Sequence, residues 1–116
     1  MRVLCLMLEL RDSGELIEAY ELHHEPGNVW PEVIRGIKTS GISAMRIFRE
    51  GTRLTMIMEV EDSFDPAEKA ANDASNPKIA EWERLMETFQ DTQHIDEPTK
   101  KWRPATCIFD LSEHSV

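Results

Sequence analysis

The most restrictive stretch of this chain is its first. Arg2 to Leu10 reads Arg-Val-Leu-Cys-Leu-Met-Leu-Glu-Leu, apolar at almost every position. Strand side chains alternate between faces, so Leu4, Leu6, Leu8 and Leu10 point to one side and Val3, Cys5 and Met7 to the other. A strand with two apolar sides has to be covered on both. It therefore belongs inside a sheet, with packed material above and below.

The rest of the chain supplies the partners. Asp12 followed three residues later by Glu15 resembles a capping box and opens a helix. Leu16, Ile17, Ala19, Tyr20, His23 and His24 share one broad arc of that helix, which Pro26-Gly27 stops. A second helical piece, about Pro31 to Thr39, carries Val33, Ile34 and Ile37 as its stripe and ends at Ser40-Gly41. Two strands follow, Ile42 to Arg49 and Thr52 to Val60, joined through Glu50-Gly51. In the second, Leu54, Met56, Met58 and Val60 form one face, while Arg53, Thr55, Ile57 and Glu59 form a mostly polar one. Asp65-Pro66-Ala67-Glu68 starts a short alanine-rich helix. Pro77 opens another, running to about Gln90, with Ile79, Trp82, Met86 and Phe89 as its apolar face. From Asp91 to Pro104 the chain is polar and irregular and reads as an arm. Ala105 to Leu111 reads as a last strand.

Strand, helices, strand, strand, helices, strand predicts an α+β fold: a ferredoxin-like antiparallel four-stranded sheet with helices on one face, a single domain over 1–116. First and last strands are then neighbours, which brings Cys5 and Cys107 together as a buried pair of free thiols. Because helices cover one face only, the apolar second face of the first strand needs another cover. A second copy of the chain is the economical one, so a homodimer is expected.

Net charge limits the partners. The formal charge of −9 disfavours nucleic acid and anionic membranes, which require clustered Lys and Arg. The basic cluster Lys100 to Arg103 is too small to reverse that. No stretch approaches a membrane span, and the apolar run Val3 to Leu8 is short and without a small-residue cleavage site. A reducing, cytoplasmic location is the expectation.

Chemistry concentrates between Tyr20 and Glu32. Tyr20 and His24 lie four residues apart, one above the other on one helix face, where a phenol and an imidazole can share a small polar substrate. Trp30 precedes Pro31 and so belongs at a helix entrance. An acid/base pair beside an aromatic plate suits a sugar. Trp30 and Trp82 can stack on its apolar face, though tryptophan is equally a core residue. Glu59 can orient a hydroxyl or can simply be solvated. His23 points about 100° away from His24 and reads as structural or as pocket edge. Trp102 and Phe109 read as packing. Glu21-Leu22-His23-His24 matches the Glu-x-x-His spacing of di-iron bundles, but no second copy accompanies it, so neither a metal nor another cofactor is expected.

These residues also carry a family likeness. Tyr-x-x-x-His at Tyr20 and His24, Trp-Pro-Glu at Trp30 to Glu32, the hairpin around Ile47 to Val60, Trp82-x-x-x-Met86 and Ile108-Phe109-x-Leu111 recur nearly end to end. In them the chain resembles the L-rhamnose mutarotase family, small dimeric α+β barrels that interconvert sugar anomers. The resemblance implies a cofactor-independent isomerase, with His24 and Tyr20 catalytic and Trp30, Trp82 and Glu59 binding a monosaccharide. Rhamnose-acting members tend to carry Trp-Trp where this chain has Trp82-Glu83, and Tyr where it has Met45. They also have an Asn-Pro-Asp-Asn segment missing here after Gln90. The stretch from Gly51 to Val60 looks more like a subgroup associated with L-fucose. Both sugars are 6-deoxy-L-hexoses. Rival expectations are a cofactor-free monooxygenase, which needs a deep apolar pocket, and a silent ligand-binding module; dimeric α+β barrels serve many ends.

Overall fold

The first strand is held on both edges. In the computed structural model, which describes residues 1–97 and 100–116, β1 (Arg2–Glu9) pairs antiparallel with β3 (Arg53–Val60) on one side and β4 (Arg103–Pro104) on the other. β2 (Ile42–Glu50) pairs antiparallel with β3, giving the sheet order β2-β3-β1-β4. Between them run α1 (Gly14–His23), α2 (Pro31–Lys38), α3 (Pro66–Ser75) and α4 (Pro77–Glu87). This is the expected ferredoxin-like α+β sheet.

Local chemistry sets the helix starts. Pro31, Pro66 and Pro77 each occupy the first helical position, where a missing N–H goes unnoticed. Asp65 accepts from the Ala67 amide, and Asn76 from those of Lys78 and Ile79. At α1 the expected cap moves by one residue. Ser13, not Asp12, is extended at the helix start and accepts from the Leu16 N–H, because from there its hydroxyl reaches the third amide. Gly51, with φ of 61°, turns the β2–β3 hairpin in a backbone region that other residues adopt at a cost.

Register decides what each face does. Leu4 lies opposite Met58, Leu6 opposite Met56 and Leu8 opposite Leu54, all toward the helices. Leu8, Leu10, Tyr20, Leu54, Trp82, Met86 and Phe89 form one buried cluster, and Ile42, Met58, Val60 and Phe64 a second. Past α4 the chain stays pinned to the end of β1: Gln90 bridges Leu10, the Asp91 amide donates to the Glu9 carbonyl, and Arg11 Nε to the Gln90 carbonyl.

Three expectations fail at the end of the chain. α4 stops at Glu87 rather than Gln90, because Phe89 and Gln90 turn to meet β1. The last strand is Arg103–Pro104, inside the expected arm, not Ala105 to Leu111. Its ladder closes with the Ala105 amide donating to the Cys5 carbonyl. Beyond this point Ile108 and Phe109 are 94% and 65% exposed. Among the described residues their apolar side chains find no covering face, so no ladder continues along the sheet there. Phe109 stacks on His114 instead of entering the core. The cysteines are thiols as expected, but Cys5 is half-buried and Cys107 exposed, not a buried pair. Positions 98 and 99 of the expected arm lie outside the described residues.

Leu54 is 1% exposed at the centre of the larger cluster. Leu54→Ala is expected to reduce unfolding free energy by about 2–5 kcal/mol, measured by urea denaturation. A loss under about 1 kcal/mol would mean that this cluster is not the centre of stability.

Candidate functional site

A cavity of about 580 Å³ opens between the helices and the helix-facing side of the sheet. Leu4, Leu6, Met45, Met56 and Met58 form part of its apolar wall. Tyr20, His24, Trp82, Glu83, Gln90 and Lys101 also line it, and direct contacts or charge effects link them to one another.

The end of α1 places the first two. His24 is the helix C-cap, its backbone amide donating to the Glu21 and Leu22 carbonyls. Its ring folds back on the preceding turn, with Nδ1 2.7 Å from the Tyr20 carbonyl oxygen. A carbonyl can only accept, so Nδ1 carries hydrogen and the neutral ring keeps Nε2 as its basic nitrogen. The Tyr20 and His24 rings lie 4.3 Å apart between centroids, tilted by 35°. Gly27, with φ of 90°, then reverses the chain. Asn28 fastens the turn by donating from Nδ2 to the Leu22 carbonyl.

Surroundings move both groups from their ordinary values. Burial pushes the Tyr20 phenol up to about 12. A hydrogen bond from Gln90 Nε2, 3.4 Å from the phenol oxygen, pulls it down, and the Glu83 charge pushes it up. Tyr20 is thus a neutral hydroxyl with its own proton to donate. Burial also lowers the His24 imidazole below its usual 6.5. The Tyr20 carbonyl works against that, His23 adds to it, and Glu83 opposes it.

The other expected site residues separate. Trp82 is 4% exposed, lines the cavity, and meets the His24 ring edge-on at 5.8 Å. Trp30 is extended just before α2, as its place ahead of Pro31 requires, but packs behind Trp82 at 5.3 Å and is not among the lining residues. Glu59 sits on the opposite face of the sheet across from Val3, exposed and away from the cavity. His23 packs beside Phe89 at 5.4 Å. In the Glu-x-x-His spacing, Glu21 turns outward to pair with Arg49 of β2. Among the described residues no three His, Cys, Asp or Glu are grouped to hold a metal ion.

Sequence reasoning missed Glu83, Gln90, Lys101 and Trp102, all of which line the cavity. Gln90 had a signal: it continues the Ile79, Trp82, Met86 stripe at helical spacing. Lys101 and Trp102 had none, because an irregular segment carries no period that says which way a side chain faces.

The lowered His24 value fixes the sign of a pH effect. The unfolded chain takes up this proton near 6.5, and the folded one only at lower pH. Stability from this group is full above about pH 6.5, falls as the pH drops through that value, and levels off below the folded value. In an NMR titration the His24 ring is expected to turn over below 6.5. A midpoint above 6.5 would show that burial does not govern it.

Comparison with known proteins identifies the family. The family profile described as L-rhamnose mutarotase matches residues 3–111. An L-fucose mutarotase of Xanthomonas campestris pv. campestris is 48% identical over 113 residues, covering 97% of this chain and 90% of that protein. A UPF0734 protein of Dictyostelium discoideum is 37% identical over 109 residues, covering 90% and 85%. The crystal structure of an L-rhamnose mutarotase from Formosa agariphila superposes with a TM-score of 0.67 at 21% identity, over 95% of this chain and 98% of that one, and shares the fold. With the family pattern spanning nearly its whole length, the chain belongs to the L-rhamnose mutarotase family of sugar-anomer isomerases.

Proposed function

We propose that the protein interconverts the α and β anomers of L-fucose, with L-rhamnose as the second sugar of the same 6-deoxy class, by acid/base ring opening in this cavity. The carrying observation is the Tyr20–His24 pair. One carbonyl holds the imidazole with Nε2 as the basic nitrogen, and the neighbouring phenol is held protonated. Preference for L-fucose rests on the 48% identical relative of that name and on Glu83 and Met45 standing where rhamnose-acting members tend to have aromatic residues.

His24 Nε2 takes the proton of the anomeric hydroxyl while Tyr20 donates to the ring oxygen. The C1–O5 bond breaks to leave the open aldehyde. After rotation about C1–C2, the C5 hydroxyl adds to the other face of C1 and the two protons return. No electrons enter or leave, so the reaction needs no oxidant. An uncatalysed timescale of hours corresponds to a barrier of roughly 23 kcal/mol. Each positioned acid or base contributes about 10²–10⁴-fold, so two suffice for a useful enzyme. Trp82 forms the apolar plate under the sugar, and Trp30 supports Trp82 from behind.

The working unit in this reading is a homodimer in the cytoplasm. Val3, Phe48 and Ile57 lie 65%, 54% and 38% exposed on the sheet face turned away from the helices. Ile108, Phe109 and Leu111 are exposed beyond β4. A second copy laid on that face covers both sets.

Saturation-transfer NMR on an equilibrated sugar tests the chemistry. Wild type should speed exchange between the α and β signals, L-fucose before L-rhamnose. His24→Ala should reduce that acceleration by about 10²–10⁴-fold while keeping its circular dichroism spectrum. Unchanged exchange in the variant would remove His24 from the reaction. Consumption of oxygen without exchange would favour a monooxygenase, and binding without exchange a silent module.

For the dimer, sedimentation of wild type should give twice the chain mass, and Ile57→Asp should give one. A wild-type monomer would leave that face uncovered and overturn the assembly.

A further inference from the structure

We infer that Lys101 and Glu83 form a hydroxyl-binding subsite in the cavity wall, gripping two adjacent ring hydroxyls of the substrate and so deciding which hexose is accepted. The inference rests on the proposed sugar chemistry and adds a specificity element to it.

Lys101 is the only buried cation among the described residues, 5% exposed. Its ammonium lies 2.6 Å from Glu83 Oε2 and 4.0 Å from Glu87 Oε1. Charge is balanced there, yet the contact is not aligned as a hydrogen bond, and Lys101 Nζ is without a hydrogen-bond acceptor among the described residues. An ammonium has three N–H donors. Burying them unused is strongly unfavourable, and a lysine whose only task is to tie the 91–102 segment to α4 could do so from the surface. Gln90 Oε1, in the same cavity lining, is a second buried polar atom with no partner among the described residues. Two such atoms in the lining of one cavity point to a polar occupant that brings both acceptors and donors.

A pyranose offers this. Each hydroxyl both donates and accepts, so one can accept from the Lys101 ammonium while its neighbour donates to Glu83, whose side chain is still 44% exposed. Gln90 Oε1 can accept from either. Both charged residues are next in sequence to a tryptophan that lines the same cavity, Trp82 before Glu83 and Trp102 after Lys101, so polar and apolar contacts are available together. The Glu83 charge is also felt at Tyr20 and His24, which places the subsite within electrostatic reach of the acid/base pair.

The test compares wild type, Lys101→Met and Glu83→Gln, each checked by thermal unfolding, for exchange kinetics with L-fucose and for binding of its monodeoxy derivatives by tryptophan fluorescence. In the wild type one ring-deoxy sugar should bind about tenfold or more worse than L-fucose, the scale of one lost charge-assisted hydrogen bond. In both variants that particular penalty should shrink below about threefold while penalties at the other hydroxyls persist, and KM should rise about tenfold with kcat nearly kept. If the deoxy penalties are the same in the variants as in wild type, or if all sugars weaken equally with the melting temperature, the pair is structural and the inference is overturned. The sugar-isomerase reading survives that result, because wild-type exchange is measured alongside. If wild type neither binds nor exchanges any of these sugars, both fall together.

Discussion

Everything positioned in this molecule depends on the helix-facing side of β1, buried at Leu8 and, just past the strand, at Leu10. Leu8 and Leu10 are 1% and 3% exposed, and fully burying such a side chain is worth about 1.5–3 kcal/mol. That gain fixes the register with β3, because a slip of one residue would turn the leucines to the wrong face. It also sets where the two helical pairs, α1–α2 and α3–α4, attach. The backbone at Glu9, Leu10 and Arg11 binds the segment after α4 through Gln90 and Asp91. Gln90 then reaches the Tyr20 phenol. The strand that makes the core thus also joins α1 to α4, and those two helices carry most of the cavity's chemistry.

The Tyr20–His24 pair sits at a helix end rather than in a helix middle. In a helix interior the Tyr20 carbonyl would be taken by an amide four residues on. At the C-terminus the last carbonyls lack such partners, and a histidine four positions later can close on one with its ring. This gives the imidazole an orientation and a tautomer from a single local contact. Such an arrangement tolerates a small domain, since it asks nothing of distant segments beyond a covering wall.

The same physics explains what was legible in the sequence. Strands β1 to β3, the three prolines opening helices and the Tyr20–His24 spacing are local patterns, and each appears where its residues require it. Trp30 was read correctly as sitting ahead of a helix but not as lying behind Trp82, because packing order between two aromatic residues is not encoded in spacing. Glu59 shows a different error. Polarity on one side of a strand marks solvent as readily as a site, and here the helix-facing side is the one bearing Leu54, Met56 and Met58. The final strand fails for a third reason. Ile108, Phe109 and Leu111 have the pattern of a buried strand, yet they lie exposed, with no cover among the described residues. A sequence pattern reports that a face will be covered; it does not report which molecule covers it.

The composition of the cavity wall bears on how so slight a machine can work. Ring opening moves a proton and builds partial charge at two oxygens, and water would both compete for the hydroxyls and screen the groups that assist. Leu4, Leu6, Met45, Met56 and Met58 exclude it from one side. Against that apolar side the dipoles of Tyr20 and His24, and the Glu83–Lys101 charges near them, would act on a bound sugar more strongly than in water. The unfavourable side of this arrangement is burial: it raises the Tyr20 phenol, lowers the His24 imidazole and leaves the ion-paired Lys101 ammonium without a hydrogen-bond acceptor among the described residues. A chain selected for stability alone would replace such groups with leucine. Their retention beside Leu4, Leu6, Ile79, Met45, Met56 and Met58 puts the proposed acid/base pair where the fold is least comfortable.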